Sequence, residues 1–124
     1  LYDTWPSYNE NIIPVNIFGK DSLIANFFEN GDFIIFFHRT FALVLTLVLL
    51  IINYRVFTKS FLYGYKKIIL ILDILFLIQI LLGIFMTYLN IPWYLALLHQ
   101  GNSIFIFIIL AYLHSYINFA RATP

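Results

Sequence analysis

The stretch Ile91–Asn102, with the sequence IPWYLALLHQGN, decides how this chain is expected to fold. It opens an apolar run that continues to Ile117, which is long enough for a membrane-spanning helix of about 20 residues. His99 lies inside that run. Because an ionisable side chain within a membrane is costly to bury without a partner, such a residue indicates a functional position.

The composition of the whole chain agrees with a membrane location. Of its 124 residues, 62% are hydrophobic and 10% are charged, and the mean hydropathy is +0.89. Soluble domains carry roughly 25% charged residues, so this chain is predicted to be an all-α membrane protein in contact with lipid. The net charge of +1 argues neither for nor against nucleic acid, but no basic run is dense enough to suggest it, so no nucleic-acid partner is expected. Without cysteine, the chain forms no disulfides and offers no thiolate ligands.

Residues 1–31 are predicted to form a structured extramembrane segment that is rich in aromatic residues. Within it, Asp21–Phe28 is predicted to be a short interfacial helix with Asp21 or Ser22 as the N-cap. The aromatic side chains suited to the headgroup level are Tyr2, Trp5 and Tyr8. A mobile tail is the alternative interpretation.

Residues 32–124 are predicted to form the transmembrane bundle, with spans at about 32–54, 68–89 and 93–118. The turn Asn90–Pro92 is short and uncharged, and Pro92 suits the first position of the last helix. The basic residues beside the spans are Arg55, Lys59, Lys66, Lys67 and Arg121. They predict that the C-terminus lies in the cytoplasm or matrix and that the N-terminal segment lies in the periplasm or intermembrane space.

His38 and His99 are the candidate ligands of a metal-containing cofactor. Each lies about 10 Å into its span at the helical rise of ~1.5 Å per residue, and the first and third spans run in the same direction. Two histidines on facing helices of a bundle commonly supply both axial ligands of a b-type haem. The small residues near them are Ala42, Thr46, Ala96 and Ser103. The alternative is that each histidine only forms a hydrogen bond between helices.

Other polar residues of the spans have further interpretations. Arg39 could pair with a haem propionate, or it could extend to a lipid phosphate. His114 is interpreted as an interfacial histidine, and Asp73 as the partner in an ion pair or an interhelical hydrogen bond, with a proton relay as the alternative. The stripe formed by Gln79, Gly83 and Thr87, which recur every four residues, is predicted to face into the bundle. No catalytic residue is assigned.

Six motifs in order resemble the C-terminal half of haem A synthase, the membrane enzyme family that oxidises haem O to haem A. They are Asp3-Thr4-Trp5-Pro6, Ile13-Pro14, Asn26-Phe27-Phe28-Glu29-Asn30, Phe36-Phe37-His38-Arg39, Gln79-Ile80-Leu81-Leu82-Gly83-Ile84 and Leu97-Leu98-His99-Gln100-Gly101. The resemblance implies one four-helix half of a pseudo-symmetric protein, of which this chain matches the last three spans. It also implies haem b held by His38 and His99. Ile35 stands where the catalytic half has a glutamate.

The function expected from this resemblance is electron relay through haem b, with a partner chain supplying the catalytic N-terminal half. Only with that partner would the chain be part of an enzyme. Two alternatives are a non-catalytic accessory subunit of a respiratory complex, such as cytochrome oxidase or a supercomplex, with or without haem, and a stand-alone b-type cytochrome. Heavy use of Phe, Ile, Asn and Tyr favours an organelle genome and hence the mitochondrial inner membrane. A bacterial plasma membrane is the alternative.

Overall fold

The computed structural model describes residues 4–122, apart from the side chains at 60, 61 and 119–122. Within this part the chain is irregular before Leu23 and mainly helical from there on, with no extended strands. The elements are α1 (Leu23–Glu29), α2 (Gly31–Thr58), a 3₁₀ helix (Ser60–Tyr65), α3 (Lys66–Tyr88) and α4 (Trp93–Ala122). Predictions made for Tyr2, Asp3 and the Arg121 side chain concern positions outside the described part.

Three of the helical segments are long and apolar enough to cross a membrane: Gly31–Thr58, Leu62–Tyr88 and Trp93–Asn118. The predicted all-α membrane fold is therefore confirmed. The first predicted span corresponds to α2, which continues to Thr58, four residues beyond the predicted end at Tyr54, because no glycine or proline interrupts residues 55–58. Arg55 consequently lies on α2 rather than in the following loop.

Hydroxyl groups within these apolar helices are satisfied by the helix itself. Thr46 donates to the carbonyl oxygen of Ala42 at 2.8 Å, and Thr87 donates to that of Gly83 at 3.2 Å. Both bonds reach back four residues, which is the usual way for threonine to pair its hydroxyl in a helix. These side chains can therefore face an apolar environment without an outside partner.

The chain divides into two compact units, Leu1–Ile52 and Asn53–Pro124. In the first unit, Ser22 is the N-cap of α1, and its hydroxyl accepts a hydrogen bond from the Ala25 amide at 3.0 Å. The predicted short helix and its cap are thus confirmed, with Ser22 rather than Asp21 in the capping position.

A buried asparagine, Asn26, joins α1 to the residues that precede it. Its Nδ2 atom donates to the carbonyl oxygens of Lys20 at 3.1 Å and Ser22 at 2.8 Å. Its Oδ1 atom accepts from the Lys20 amide at 3.2 Å. Because Asn26 is only 2% exposed, these bonds supply the partners that a buried amide requires.

A second buried asparagine, Asn30, extends this network to the start of α2. Its Nδ2 atom donates to the carbonyl oxygens of Asn16 at 2.9 Å and Ile17 at 3.2 Å. Its Oδ1 atom accepts from the amides of Asp32 at 3.1 Å and Phe33 at 3.3 Å. Asn30 therefore caps α2 while its amide group ties the N-terminal segment to the junction between α1 and α2.

Aromatic rings pack beside this polar network. Phe27 of α1 meets Phe33 and Phe37 of α2 edge-on, with ring centroids 4.8 Å and 5.0 Å apart. Edge-to-face contacts at these distances are favourable beyond the burial of area. They fix the position of α1 against the first turns of α2.

In the second unit, α3 and α4 form an antiparallel pair. The rings of Tyr65 and Tyr116 lie 5.9 Å apart at one end, and Gln79 pairs with Asn102 further along, so the two helices run in opposite directions. The buried apolar residues here are Val56, Ile69 and Leu72.

The turn between α3 and α4 is tight, as predicted. Asn90 and Ile91 both have φ of 56°, and the Ile91 amide donates to the carbonyl oxygen of Met86 at 2.9 Å. Pro92 is predicted to be the first residue of the last helix, but α4 begins one residue later, at Trp93. The Pro92 carbonyl accepts a hydrogen bond from the amide of Ala96 at 3.1 Å.

Candidate functional site

His38 lies on α2, seven residues after the helix begins at Gly31. Its side chain is exposed in the first unit, and Ala42 follows one turn later. Thr46, a further turn along, has its hydroxyl turned back to the Ala42 carbonyl. The residues that follow His38 on this face of α2, Ala42 and Thr46, are thus small, and the hydroxyl of Thr46 is already hydrogen-bonded.

Arg39, the next residue, holds the N-terminal segment to α2. Its Nη1 atom donates to the Ser7 carbonyl at 3.0 Å, and its Nη2 atom donates to the Thr4 carbonyl at 3.0 Å. A longer bond of 3.4 Å runs from Nη1 to the Pro6 carbonyl. The guanidinium also lies 4.7 Å from the ring centroid of Tyr8, in cation–π geometry. These contacts explain how an arginine is accommodated in the first turns of an apolar helix.

Tyr8 completes this contact from the side of the N-terminal segment. It is 4% exposed, and its ring lies 6.1 Å from that of Phe36 on α2. Burial raises the pKa of the Tyr8 hydroxyl above its ordinary value of 10.0, while the positive charge of Arg39 acts in the opposite direction. The hydroxyl therefore stays protonated at neutral pH.

His99 lies on α4, six residues after the helix begins at Trp93. Its ring is half-buried, its Nδ1 atom is fully buried, and it packs on Gly83 of α3. A Cβ atom built on Gly83 would be 3.5 Å from Cε1 and 3.9 Å from Nδ1 of the ring. The missing side chain at Gly83 thus leaves the space in which the imidazole lies.

One turn beyond His99, Asn102 joins α4 to α3. Its Nδ2 atom donates to Oε1 of Gln79 at 2.7 Å and to the carbonyl oxygen of Leu75 at 2.9 Å. Side-chain hydrogen bonds of this kind hold helices together in a membrane, where water is absent. Two residues of the predicted stripe, Gln79 and Gly83, contact α4, and the orientation of the whole stripe into a bundle stays a prediction.

Two further polar residues have local partners. Asp73 accepts a hydrogen bond from Nδ2 of Asn53, the first residue of the second unit, at 2.7 Å. The predicted interhelical hydrogen bond of Asp73 is therefore confirmed. His114 is exposed, and its Nε2 atom lies 3.0 Å from Nδ2 of Asn118 on the same helix.

The structure thus places the sequence-predicted site residues in two sets. His38 and Arg39 are neighbours in the first unit, and His99 belongs to the second. The pairing of the two histidines stays a prediction, as does a propionate contact for Arg39. Sequence reasoning missed Asn102. The available signal was an amide residue three positions after His99 in an otherwise apolar run.

Comparison with known proteins places these features in a family. Residues 1–111 match the model of the COX15-CtaA family, described as cytochrome oxidase assembly protein. No solved structure matches the chain at a significant level.

Similar curated proteins include three bacterial proteins named heme A synthase. That of Pelagibacter ubique is 31% identical over 106 residues, covering 86% of this chain and 31% of its own length. That of Rhizobium rhizogenes is 32% identical over 109 residues, covering 86% and 29%. That of the Wolbachia of Brugia malayi is 36% identical over 110 residues, covering 86% and 30%. This chain spans about three-tenths of the length of these relatives. Because the family model matches nearly the whole chain, this membrane protein belongs to the COX15-CtaA family of cytochrome oxidase assembly proteins.

Proposed function

We propose that this chain is the haem b-binding part of a haem A synthase-like membrane protein, with His38 and His99 as the axial ligands. Family membership and three relatives named heme A synthase support the reaction class, the oxidation of haem O to haem A. In this proposal the chain relays electrons, and a catalytic half or partner chain performs the oxidation.

The observation that carries the ligand assignment is the matched position of the two histidines. His38 lies seven residues after the start of α2 and His99 six residues after the start of α4. At ~1.5 Å per residue both are roughly 10 Å into their helices. Three consecutive spans predict that α2 and α4 enter a membrane from the same side, and we therefore expect the two imidazoles at a similar depth.

The residues around the histidines fit a haem. Imidazole nitrogens are common axial ligands of haem iron, and the absence of a side chain at Gly83 lets the His99 ring pack against α3. Haem b bound there would supply a reversible one-electron centre. The protein's part is to hold that centre, and the Asn102–Gln79 bond fixes α4 against α3 one turn away from His99.

Catalysis is assigned to a partner rather than to this chain. A catalytic base or acid would have to stand beside the cofactor, and the residue one turn before His38 is Ile35, which carries no ionisable group. The proposal therefore names no catalytic residue here. Arg39 is proposed to contact a propionate with donor capacity left over from its bonds to the N-terminal segment.

Measuring haem content tests this assignment. We expect the chain, purified with its natural partners, to retain one haem b per chain, and His38→Ala or His99→Ala to lose most of it. His114→Ala is the matched control because His114 is exposed and lies 3.0 Å from Asn118 of the same helix, fifteen residues from His99. A folded wild-type preparation without haem would contradict the assignment and would favour the second candidate function, a non-catalytic accessory subunit of a respiratory complex.

The proposed membrane is the mitochondrial inner membrane or, because the similar curated proteins come from bacteria, the plasma membrane, with the N-terminal segment on the outer side. The chain has no cysteine, so single cysteines can report the orientation. Ser22→Cys should react with a membrane-impermeant maleimide added outside, and Lys59→Cys should react only after the membrane is opened. The reverse pattern would overturn the orientation.

A further inference from the structure

A groove of about 350 Å³ lies in the second unit, where the 3₁₀ helix leads into α3 and where α4 nears its end. Its walls combine three tyrosines, Tyr65, Tyr112 and Tyr116, with apolar side chains that include Ile68 and Leu113. Lys67 contributes a positive charge to the same wall. The groove therefore joins an apolar floor to a polar, cationic rim.

The position of the groove along the helices corresponds to the headgroup level of a membrane. Tyr65 and Lys67 lie in the first turns of the span Leu62–Tyr88, and Tyr116 lies in the last turn of the span Trp93–Asn118. The ring of Tyr116 packs against Tyr65 at 5.9 Å and against Tyr112 at 6.2 Å. Tyrosines at span ends characteristically lie where acyl chains meet headgroups.

The charge around the groove is positive. Lys67 lines it, whereas the neighbouring Lys66 lies over the rings of Tyr63 at 4.4 Å and Phe57 at 5.4 Å. The acidic residue in this half of the sequence, Asp73, lies six residues after Lys67 and accepts a hydrogen bond from Asn53. A ligand that complements this rim must carry negative charge.

We propose that this groove binds one anionic phospholipid. Its phosphate lies at Lys67 and the tyrosine hydroxyls, and its first acyl segment lies against Ile68 and Leu113. A lipid fits better than a partner helix because a helix seated here would bury the Lys67 ammonium, which is costly without a counter-charge. This lipid site is independent of the haem proposal.

Spin-labelled lipids test the proposal on the full chain in phosphatidylcholine bilayers. A trace of spin-labelled phosphatidylglycerol should show a larger motionally restricted component than spin-labelled phosphatidylcholine. In Lys67→Gln we expect this preference to fall about threefold to fivefold, since a lysine near the surface contributes that order of attraction to anionic lipid. Lys59→Gln is the matched control: it removes the same charge eight residues earlier, just before the 3₁₀ helix, at a position that does not line the groove.

A second variant tests the shape of the groove separately from its charge. Leu113→Trp should fill the groove and reduce the restricted component, whereas Leu110→Trp, at an exposed position on the same helix outside the groove, should not. Thermal melting of each variant checks that it is folded.

Several results would overturn the proposal. An equal loss in Lys67→Gln and Lys59→Gln would indicate diffuse attraction by surface charge. Displacement of the lipid by millimolar inorganic phosphate would indicate a site for soluble anions. If the wild type shows no restricted component and chemical cross-linking yields pairs of chains instead, a second copy of the chain occupies the groove.

Discussion

His99 of α4 lies directly on Gly83 of α3, so that a Cβ atom on Gly83 would be 3.5 Å from Cε1 of the imidazole. That distance is ordinary van der Waals contact, and it leaves no room for a longer side chain. This contact therefore depends on two residues that are sixteen positions apart in the sequence, a histidine on α4 and a glycine on α3. The orientation of the imidazole depends on both.

Enlarging Gly83 should displace the imidazole. We expect Gly83→Ala to be tolerated, because its Cβ makes only normal contact, and Gly83→Leu to lose most bound haem and to cost ~1–3 kcal/mol of stability through overpacking. Gly101→Leu is the control, since a Cβ at Gly101 meets nothing within 4 Å. Haem content and thermal melting measure the two effects. Retention of haem in a folded Gly83→Leu protein would show that the ring position is not coupled to this glycine.

The hydrogen bond between Asn102 and Gln79 should stabilise the pairing of α3 and α4. Replacing Asn102 with leucine removes the donor, and we expect a loss of ~0.6–2 kcal/mol, the range seen for interhelical bonds in membranes. A double-mutant cycle with Gln79→Leu isolates this bond. Additive effects of the two substitutions in unfolding measurements would show that the bond contributes no coupling energy.

Arg39 should be needed to keep residues 4–8 folded against α2. Lysine cannot reproduce two guanidinium nitrogens that donate to separate carbonyl groups, so Arg39→Lys should speed amide hydrogen exchange and proteolysis in this segment. Arg55→Lys, a conservative change near the other end of the same helix, is the control. Unchanged exchange at residues 4–8 in Arg39→Lys would mean that the aromatic contacts of Tyr8 alone hold the segment.

The buried amide of Asn30 should resist replacement by a carboxylate of the same shape. In Asn30→Asp the Nδ2 donor becomes an oxygen that faces the carbonyls of Asn16 and Ile17. We expect Asn30→Asp to lower the free energy of unfolding by at least ~1–3 kcal/mol, because a buried acceptor that has lost its donor is costly and a charged acceptor is more costly still. Circular dichroism melts measure it, with the exposed Asn9→Asp as the control. Equal melting temperatures for both variants would contradict the role assigned to Asn30.

Much of the fold could be predicted because its signals are local. Apolar length defines the three spans, and a serine before an apolar run marks the N-cap of α1 at Ser22. The spacing of Gln79, Gly83 and Thr87 shows one face of a helix without any knowledge of its neighbour. In each case a single stretch of sequence contains the physical cause.

The remaining features depend on contacts between distant residues, which a single sequence does not reveal. Arg39 was interpreted through its neighbour His38, but its carbonyl partners lie more than thirty residues earlier in the chain. The role of Asn30 also depends on Asn16, fourteen residues away. The sequence alone assigns no role to Asn102, because its partner Gln79 lies on another helix, twenty-three residues earlier. Irregular backbone offers carbonyl groups at positions that no periodic pattern specifies.

The reduction potential and near-infrared magnetic circular dichroism of the haem in His99→Met test the central claim most directly. Methionine can still ligate iron, and replacing one of two histidine ligands by methionine raises the potential of a haem. If His38 and His99 are the axial ligands, the wild type should show a bis-histidine signature, and His99→Met should show a histidine–methionine signature at a higher potential. An unchanged bis-histidine spectrum in His99→Met would show that another residue ligates the iron and would contradict the account.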